Sequence, residues 1–546
     1  MYSNKTNINI LTSLLAAHGV RRAVVCPGSR NAPIAHNLNE SPHIECFPVT
    51  DERSAGFCAL GMAQATGEPV AVCVTSGTAL LNLLPAVAEA FYQHLPLVVV
   101  SADRPPQWIG QLDGQTLPQP GALGQFVRCA VTLPEPANAE QRWHCNRLVN
   151  EALLACRHHS DAPVHINVPI SEPLFEFTEP SLPAERAIRR EEMLRDGVPA
   201  TLSDVLNGAS RVMIVVGQTC RQAIPAALCR QLHERGYVVL QETLSAADAE
   251  FGCIDEAIMM AGDAPQYVPE LILYVGDTLV SKCARQYMRR SRAVCWEVNA
   301  EGAPHDVFMN LQGIVEAVPS RLFSQLPPLA SSVYRDLWTD LRSEAARRKA
   351  AFCPPPSQMM AVKELERRIG HADVLVHYAN SMAVRLANVY ARHYVFCNRG
   401  VNGIEGSLSS AVGASLVSSR KVFCVIGDLS FFYDQNALWN QCLRGNLRIL
   451  LLNNHGGGIF RKFEGLNGSS ARDRLVCAAH QTSAEGICRD NSIHYYSCRD
   501  EASLADALDA LVNGVFTRPV LVEMLTDAET DAEVMRQYIE QFIKTQ

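Results

Sequence analysis

What most restricts the fold of this chain is an alternation that runs through almost its whole length. Short apolar runs rich in Val and Ile, each closed by a turn of Gly, Pro, Asp, Asn or Ser, are separated by longer stretches of helical period. Runs that short are strands. Strands separated by helices pair in parallel, because a parallel crossover must span a dozen or more residues and a helix supplies them. The expected fold class is therefore α/β, with doubly wound, mostly parallel sheets. RRAVVCPG, EPVAVCVTSG, LPLVVVSADRP and APVHINVP read as strand-then-turn units, with helical stretches at 55–66 and 80–92 between them. RVMIVVGQ, YVVLQE, LILYVGD and AVCWEVNA form a second series; VLVHYAN, YVFCNRG, VFCVIGD, RILLLNN and PVLVEML form a third, which ends in a helix.

Three series in 546 residues agree with a prior of about 150 residues per domain. The expected domains are 1–180, 190–330 and 352–546. A Pro- and Glu-bearing stretch at 171–190 reads as one linker; a charged helix at 334–351, flanked by Pro327-Pro328 and Cys353-Pro354-Pro355-Pro356, reads as part of a second. MYSNKTNINILTSLLAAHGV mixes Asn, Thr and Ser into its apolar positions and lacks a small-residue cleavage site after an apolar run, so it is read as an amphipathic helix of the folded protein and not as a signal peptide; the first and third series each open with such a helix. No run approaches the roughly 18 apolar residues of a membrane span. The formal charge of −8 leaves no basic excess for a duplex. The expectation is a cytoplasmic protein without membrane or nucleic-acid partners. The 19 cysteines are odd in number, form no CxxC pair and lie mostly inside apolar runs, as Cys73 and Cys424 do; they read as buried free thiols.

Ligands of open α/β sheets bind beyond the carboxyl ends of strands, so the strand-end turns carry the chemistry. One strand of the third series ends in Gly427-Asp428-Leu429-Ser430, and about 26 residues later another ends in Asn453-Asn454-His455-Gly456-Gly457-Gly458. A carboxylate, an amide oxygen and a glycine carbonyl make a hard-oxygen set for Mg²⁺ or Ca²⁺, and glycines let backbone N–H groups approach a phosphate. A helix-capping Asp followed by a Gly-rich turn accounts for the same residues, and on these residues alone the two readings balance. Ser29-Arg30 after the first strand is an anion-friendly turn. Asp51-Glu52-Arg53 ends a strand and opens an apolar helix, where a carboxylate also favours the helix dipole. Thr75-Ser76-Gly77-Thr78, Asp103-Arg104 and Asn380-Ser381 with Arg385 repeat the pattern. Lys282, Arg285, Arg289, Arg290 and Arg292 read first as a solvated helix face. Together the turns point to a polyanionic ligand. There is no GK dipeptide, no strict GxGxxG and no GxSxG, which removes the P-loop, dehydrogenase and serine-hydrolase readings.

The Gly-Asp … Asn-Asn pair at this spacing resembles the metal–diphosphate motif of thiamine-diphosphate enzymes, and the three series resemble their pyrimidine-binding, central and diphosphate-binding domains. PGSRNAPIA, DERSAGFCALG, VTSGTALLNLLPA, SADRPP, NRGVNGIEG, IGDLSFFYDQNAL and NNHGGGIF together resemble the menaquinone-pathway 2-succinyl-5-enolpyruvyl-6-hydroxy-3-cyclohexene-1-carboxylate (SEPHCHC) synthase family. The resemblance spans most of the first and third domains and only short stretches of the middle one.

It implies decarboxylation of 2-oxoglutarate and conjugate addition of the remaining succinyl semialdehyde carbanion to isochorismate, with thiamine diphosphate and Mg²⁺ (or Mn²⁺) as cofactors. Glu52 would hydrogen-bond N1′ of the aminopyrimidine, and the apolar run after it fits an apolar pocket around that carboxyl. Asp428, Asn454 and the Gly456 carbonyl would hold the metal. Asn380, Ser381, Gly427 and Ser430 would line the cofactor, and Ile404 would prop its bent conformation. Ser381, Arg385 and Arg399 match positions on the 2-oxoglutarate side; Ser29, Arg30, Arg104, Gln115 and Lys282 match the isochorismate side. Arg385, Arg399 and Gln115 join Glu52 as catalytic candidates. A homodimer or homotetramer is implied. Three departures stand out: Leu429 where the general motif has Gly, His455 before the glycines, and Cys283 where a second basic residue often follows the Lys. The alternatives are an acetolactate synthase-like enzyme acting on pyruvate, which has no distal carboxylate for Arg385 and Arg399, and a non-catalytic metabolite binder, which needs no Glu52.

Overall fold

The computed structural model describes residues 1–191, 197–221, 223–245, 252–466 and 468–543. Among the described residues, sixteen strands form three sheets. The first holds β1 (Arg22–Val25), β2 (Glu45–Pro48), β3 (Val70–Val74), β4 (Leu97–Asp103), β5 (Cys129–Thr132) and β6 (Val164–Pro169) in the order β2-β1-β3-β4-β6-β5. The second holds β7 (Val212–Val216), β8 (Val238–Gln241), β9 (Leu271–Val275), β10 (Val294–Asn299) and β11 (Leu311–Glu316) in the order β11-β10-β9-β7-β8. The third holds β12 (Leu375–Tyr378), β13 (Val422–Gly427), β14 (Leu447–Asn453), β15 (His494–Cys498) and β16 (Val520–Leu525) in the order β12-β13-β14-β16-β15. β1 pairs with β3, β9 with β10 and β14 with β16, all in parallel, as the alternation requires. β3, β4 and β6 are buried along their whole length; β3 is accordingly an unbroken apolar run, whereas the buried His165 and Asn167 of β6 bond the Ser101 hydroxyl of β4 at 2.7 and 2.9 Å.

The chain forms two compact units. One comprises 1–193, 400–422 and 433–447; the other comprises 194–399, 423–432 and 448–546. In the first unit, the helix Thr6–Ala17 is more deeply buried than an amphipathic surface helix would be: Asn7, Asn9 and Thr12 lie inside with Ile8, Ile10 and Leu11. Its amides are satisfied there. Asn7 donates to the Pro169 carbonyl at 3.1 Å, and Asn9 donates to the Ser3 carbonyl at 2.9 Å. The same unit contains a very close helix crossing. Gly61, in the helix Glu52–Thr66, lies against the Ser410 backbone, and Gly413, in the helix Ser407–Val417, lies against that of Cys58. Neither position has room for a Cβ.

In the second unit the expected linker at 334–351 is instead an integral helix, Val333–Ala351. Trp338 is fully buried and meets Tyr267, Tyr287 and Tyr334 edge to face at centroid distances of 5.9, 6.1 and 6.5 Å. Most of its charged residues face out, which gave it the look of a linker, but Arg342 is buried and donates to the Val239 carbonyl at 3.0 Å. YVFCNRG, expected as a strand, makes only the single bridge His377–Phe396. The Val395 N–H turns away to the Thr243 carbonyl at 2.9 Å, which ends the ladder.

Candidate active site

Glu52 starts the helix Glu52–Thr66, and Asp51 caps it by accepting from the Arg53 and Ser54 N–H groups at 2.9 and 3.4 Å. The buried apolar stretch begins past them, so it packs into the unit's interior and leaves Glu52 half-buried at its edge. The cleft that Glu52 lines, about 260 Å³, is polar: Thr75, Ser76, Thr78, Asn82, Asp113 and Gln115 share it. This corrects the expected apolar pocket. Gln115 joins Glu52 there with a positive φ of 56°, a conformation that non-glycine residues adopt at a cost and that clusters at functional turns. Arg104 pairs with Asp113 of the same cleft at 3.0 Å. Ser29 is exposed on its turn. Arg30 is buried and already engaged, donating to the Ile170 carbonyl and pairing with Glu172, both at 2.9 Å. Ile404 lies 42% exposed on a loop held by Glu89, whose carboxylate accepts from the Gly400 and Val401 N–H groups at 2.7 Å.

In the second unit the strand ends of β13 and β14 meet. Asp428 is buried; it accepts from Leu429 N at 2.7 Å and Gly456 N at 2.9 Å, and His480 Nε2 lies 3.3 Å from its Oδ2. Burial raises its pKa, against the pull of those N–H groups and of His480. Asn454 donates its amide to Asp531 at 3.1 Å, which turns Oδ1 into its available oxygen, and Asp531 is fixed by Thr526 at 2.7 Å. Gly456 has φ 155° and no room for a Cβ beside the Cys477 carbonyl; Gly427, by contrast, borders open space. Ser430 is buried one turn into the helix Asp428–Tyr433. Among the described residues no three His, Cys, Asp or Glu side chains gather as a metal site. A cation here would rest on one carboxylate, one amide oxygen and one carbonyl.

The second unit also gathers arginines. Ser381, at φ 73°, precedes the helix Met382–Tyr390, whose Arg385 donates back to the Ser381 carbonyl. Arg399 is buried, with Nη1 3.4 Å from Asn380 Oδ1, and Asn380 donates to the Asn398 carbonyl. Arg385 is pulled below the usual arginine range by burial and by Arg399, with Asp255 opposing and Arg285 adding to the pull. Lys282 is exposed at the start of the helix Lys282–Ser291. Sequence reasoning missed Asp531, His480, Glu242 and Asp255, which reach these clusters from distant segments and form no local motif.

Two family models match the chain: the thiamine pyrophosphate enzyme N-terminal TPP binding domain over residues 6–122, and the C-terminal TPP binding domain over residues 379–524. The first takes in Glu52, and the second takes in both strand-end clusters of the third sheet. They define a thiamine pyrophosphate enzyme, and thiamine diphosphate is its cofactor. Curated proteins named 2-succinyl-5-enolpyruvyl-6-hydroxy-3-cyclohexene-1-carboxylate synthase are similar along the whole chain. That of Bacteroides thetaiotaomicron is 43% identical over 99% of both chains. That of Bacteroides fragilis is 43% identical over 99% of this chain and 100% of its own. That of Desulfotalea psychrophila is 34% identical over 96% and 98%. The chain belongs to this synthase family.

Proposed function

We propose that this chain makes SEPHCHC and CO₂ from 2-oxoglutarate and isochorismate in menaquinone biosynthesis. The observation that carries the donor substrate is the pair Arg385 and Arg399 beside the Asn380-Ser381 turn. Two guanidiniums suit a dicarboxylic oxoacid, whereas pyruvate offers them no second carboxylate.

Thiamine diphosphate, when bound, supplies a nucleophilic carbon for the keto group and a sink for the electrons left as CO₂ departs. Its fit rests on the open space beside Gly427 and on a buried carboxylate, Asp428, that a divalent cation would keep ionised. Asp428, Asn454 Oδ1 and the Gly456 carbonyl would hold Mg²⁺ or Mn²⁺. Gly427, Ser430, Asn380 and Ser381 would line the diphosphate side, and Ile404 would give an apolar rest. Glu52 would exchange a proton with the pyrimidine N1′. Arg385 and Arg399, with Ser381, would orient the donor. Ser29, Arg30, Arg104, Gln115 and Lys282 would receive isochorismate. We read the chain as a cytoplasmic homodimer or homotetramer with domains at 1–180, 190–330 and 352–546. Exposed Trp108 (52%) and Leu112 (102%) are apolar surface that a second copy would cover.

Glu52→Gln tests the central role. With thiamine diphosphate still bound, its turnover should fall by roughly 10²–10⁴, the range of acid–base help. Near-normal turnover would remove Glu52 from the chemistry. No isochorismate consumption by the unmodified protein would remove the function itself.

A further inference from the structure

The helix Lys282–Ser291 carries a basic face that divides into two kinds of residue. Arg289 donates to the Val307 carbonyl at 3.0 Å, and Arg290 lies 3.3 Å from Asp263. Among the described residues, Lys282 and Arg285 make no hydrogen bond or ion pair through their side chains. They stand three positions apart, on one face of the helix. Arg285 is half-buried, and close enough to Arg385 for its charge to act on it.

The start of this helix is held firmly. Glu242 is buried and accepts from the Val280 and Ser281 N–H groups at 2.7 and 2.6 Å; Ser281 caps the helix by accepting from Ala284 N at 2.8 Å and donates its hydroxyl to Asp255. The same two carboxylates lie within charge range of the arginine cluster, Glu242 of Arg399 and Asp255 of Arg385, and Thr243, next to Glu242, donates its hydroxyl at 2.7 Å to Asn388 of the helix that carries Arg385. Glu256 adds its charge beside Asp255, and it is bonded to Tyr538. Among the described residues, Arg285 therefore stands within charge range of Arg385 without an ion pair of its own. A like-charged pair in a partly buried setting is unfavourable until an anion lies between its members.

We propose that Arg285 is a further residue of the donor-substrate site. With Arg385 and Arg399 it holds the distal carboxylate of the 2-oxoacid and selects a five-carbon dicarboxylic oxoacid over pyruvate. This rests on the functional reading above. The position is specific: Cys283, two residues earlier, is a half-buried thiol that desolvation pushes up to about 12, and it brings no positive charge.

The test compares unmodified protein, Arg285→Gln and Arg285→Lys, each loaded with thiamine diphosphate and Mg²⁺. Steady-state kinetics are measured in both substrates, with calorimetric binding of glutarate, a non-reacting five-carbon dicarboxylate. Losing one charge-assisted contact should raise KM for 2-oxoglutarate and Kd for glutarate together by roughly 10- to 100-fold. KM for isochorismate should stay within about twofold, and Lys should restore part of the loss. If KM for 2-oxoglutarate and Kd for glutarate both stay within about twofold, or if KM for isochorismate alone rises, the assignment is wrong while the functional reading stands. An unmodified protein that turns over pyruvate and not 2-oxoglutarate overturns both.

Discussion

Glu242 and Asp255 are carboxylates that burial pushes up to about 7 and about 6, even though each accepts specific hydrogen bonds. The sign of their effect on stability follows from that direction. The ordinary glutamate value is 4.5, so between there and about 7 the folded chain holds a proton at Glu242 that the unfolded chain releases. Glu242's contribution is thus full below 4.5 and is lost as pH rises through about 7. Glu242→Gln deletes this dependence. The difference in thermal midpoint, unmodified minus variant, should therefore shrink between about pH 5 and pH 8; a constant difference would contradict the burial argument. At this scale the sequence was readable where chemistry sits in a local motif. Asp428 and Asn454 announce themselves at two strand ends. Asp531, which orients Asn454, and Glu242, which anchors Ser281, lie 77 and 39 positions from their partners and have no local signature.

Between elements, helix crossings and sheet edges show what patterning can and cannot convey. The three strands that the sequence did not yield, β5, β11 and β15, are all edge strands, and each is only partly buried. Such strands alternate weakly and lack the apolar run that marks a central one. The edge strands β8 and β12, buried throughout, were legible for the same reason. The contact of the helices Glu52–Thr66 and Ser407–Val417 was not legible, because Gly61 and Gly413 look like ordinary helix-weakening glycines until the partner backbone is in place. Gly61→Ala gains helix propensity yet forces a methyl into the Ser410 carbonyl. Overpacking of this kind costs about 1–3 kcal/mol, so its thermal midpoint should drop. Gly208→Ala, at a helix end with nothing near its Cβ, is the matched control and should hold or rise. A Gly61→Ala midpoint equal to the control's would mean that the crossing can relax.

For the whole molecule, three parallel sheets in chain order were readable from the alternation alone, because each strand-turn-helix unit is locally encoded. The grouping of residues 400–422 and 433–447 with the first unit was not, since it depends on which helix faces pair. The buried Glu89, far back in the chain, grips the Gly400–Val401 backbone within that unit, a contact with no trace in the local sequence. In the second unit, the Gln218 amide donates to the Cys397 carbonyl at 3.1 Å, and the Tyr394 hydroxyl donates to the Thr219 carbonyl at 2.9 Å. These bonds join the second sheet to the segment carrying Arg399, and so tie the central sheet to the arginine cluster. The proposed reaction joins a donor with two carboxylates to isochorismate as acceptor. Its most direct test is CO₂ release from 2-oxoglutarate, with and without isochorismate, in the presence of thiamine diphosphate and Mg²⁺, with pyruvate as control. The expected result is release from 2-oxoglutarate that isochorismate strongly accelerates while being consumed; release from pyruvate alone would contradict the proposed function.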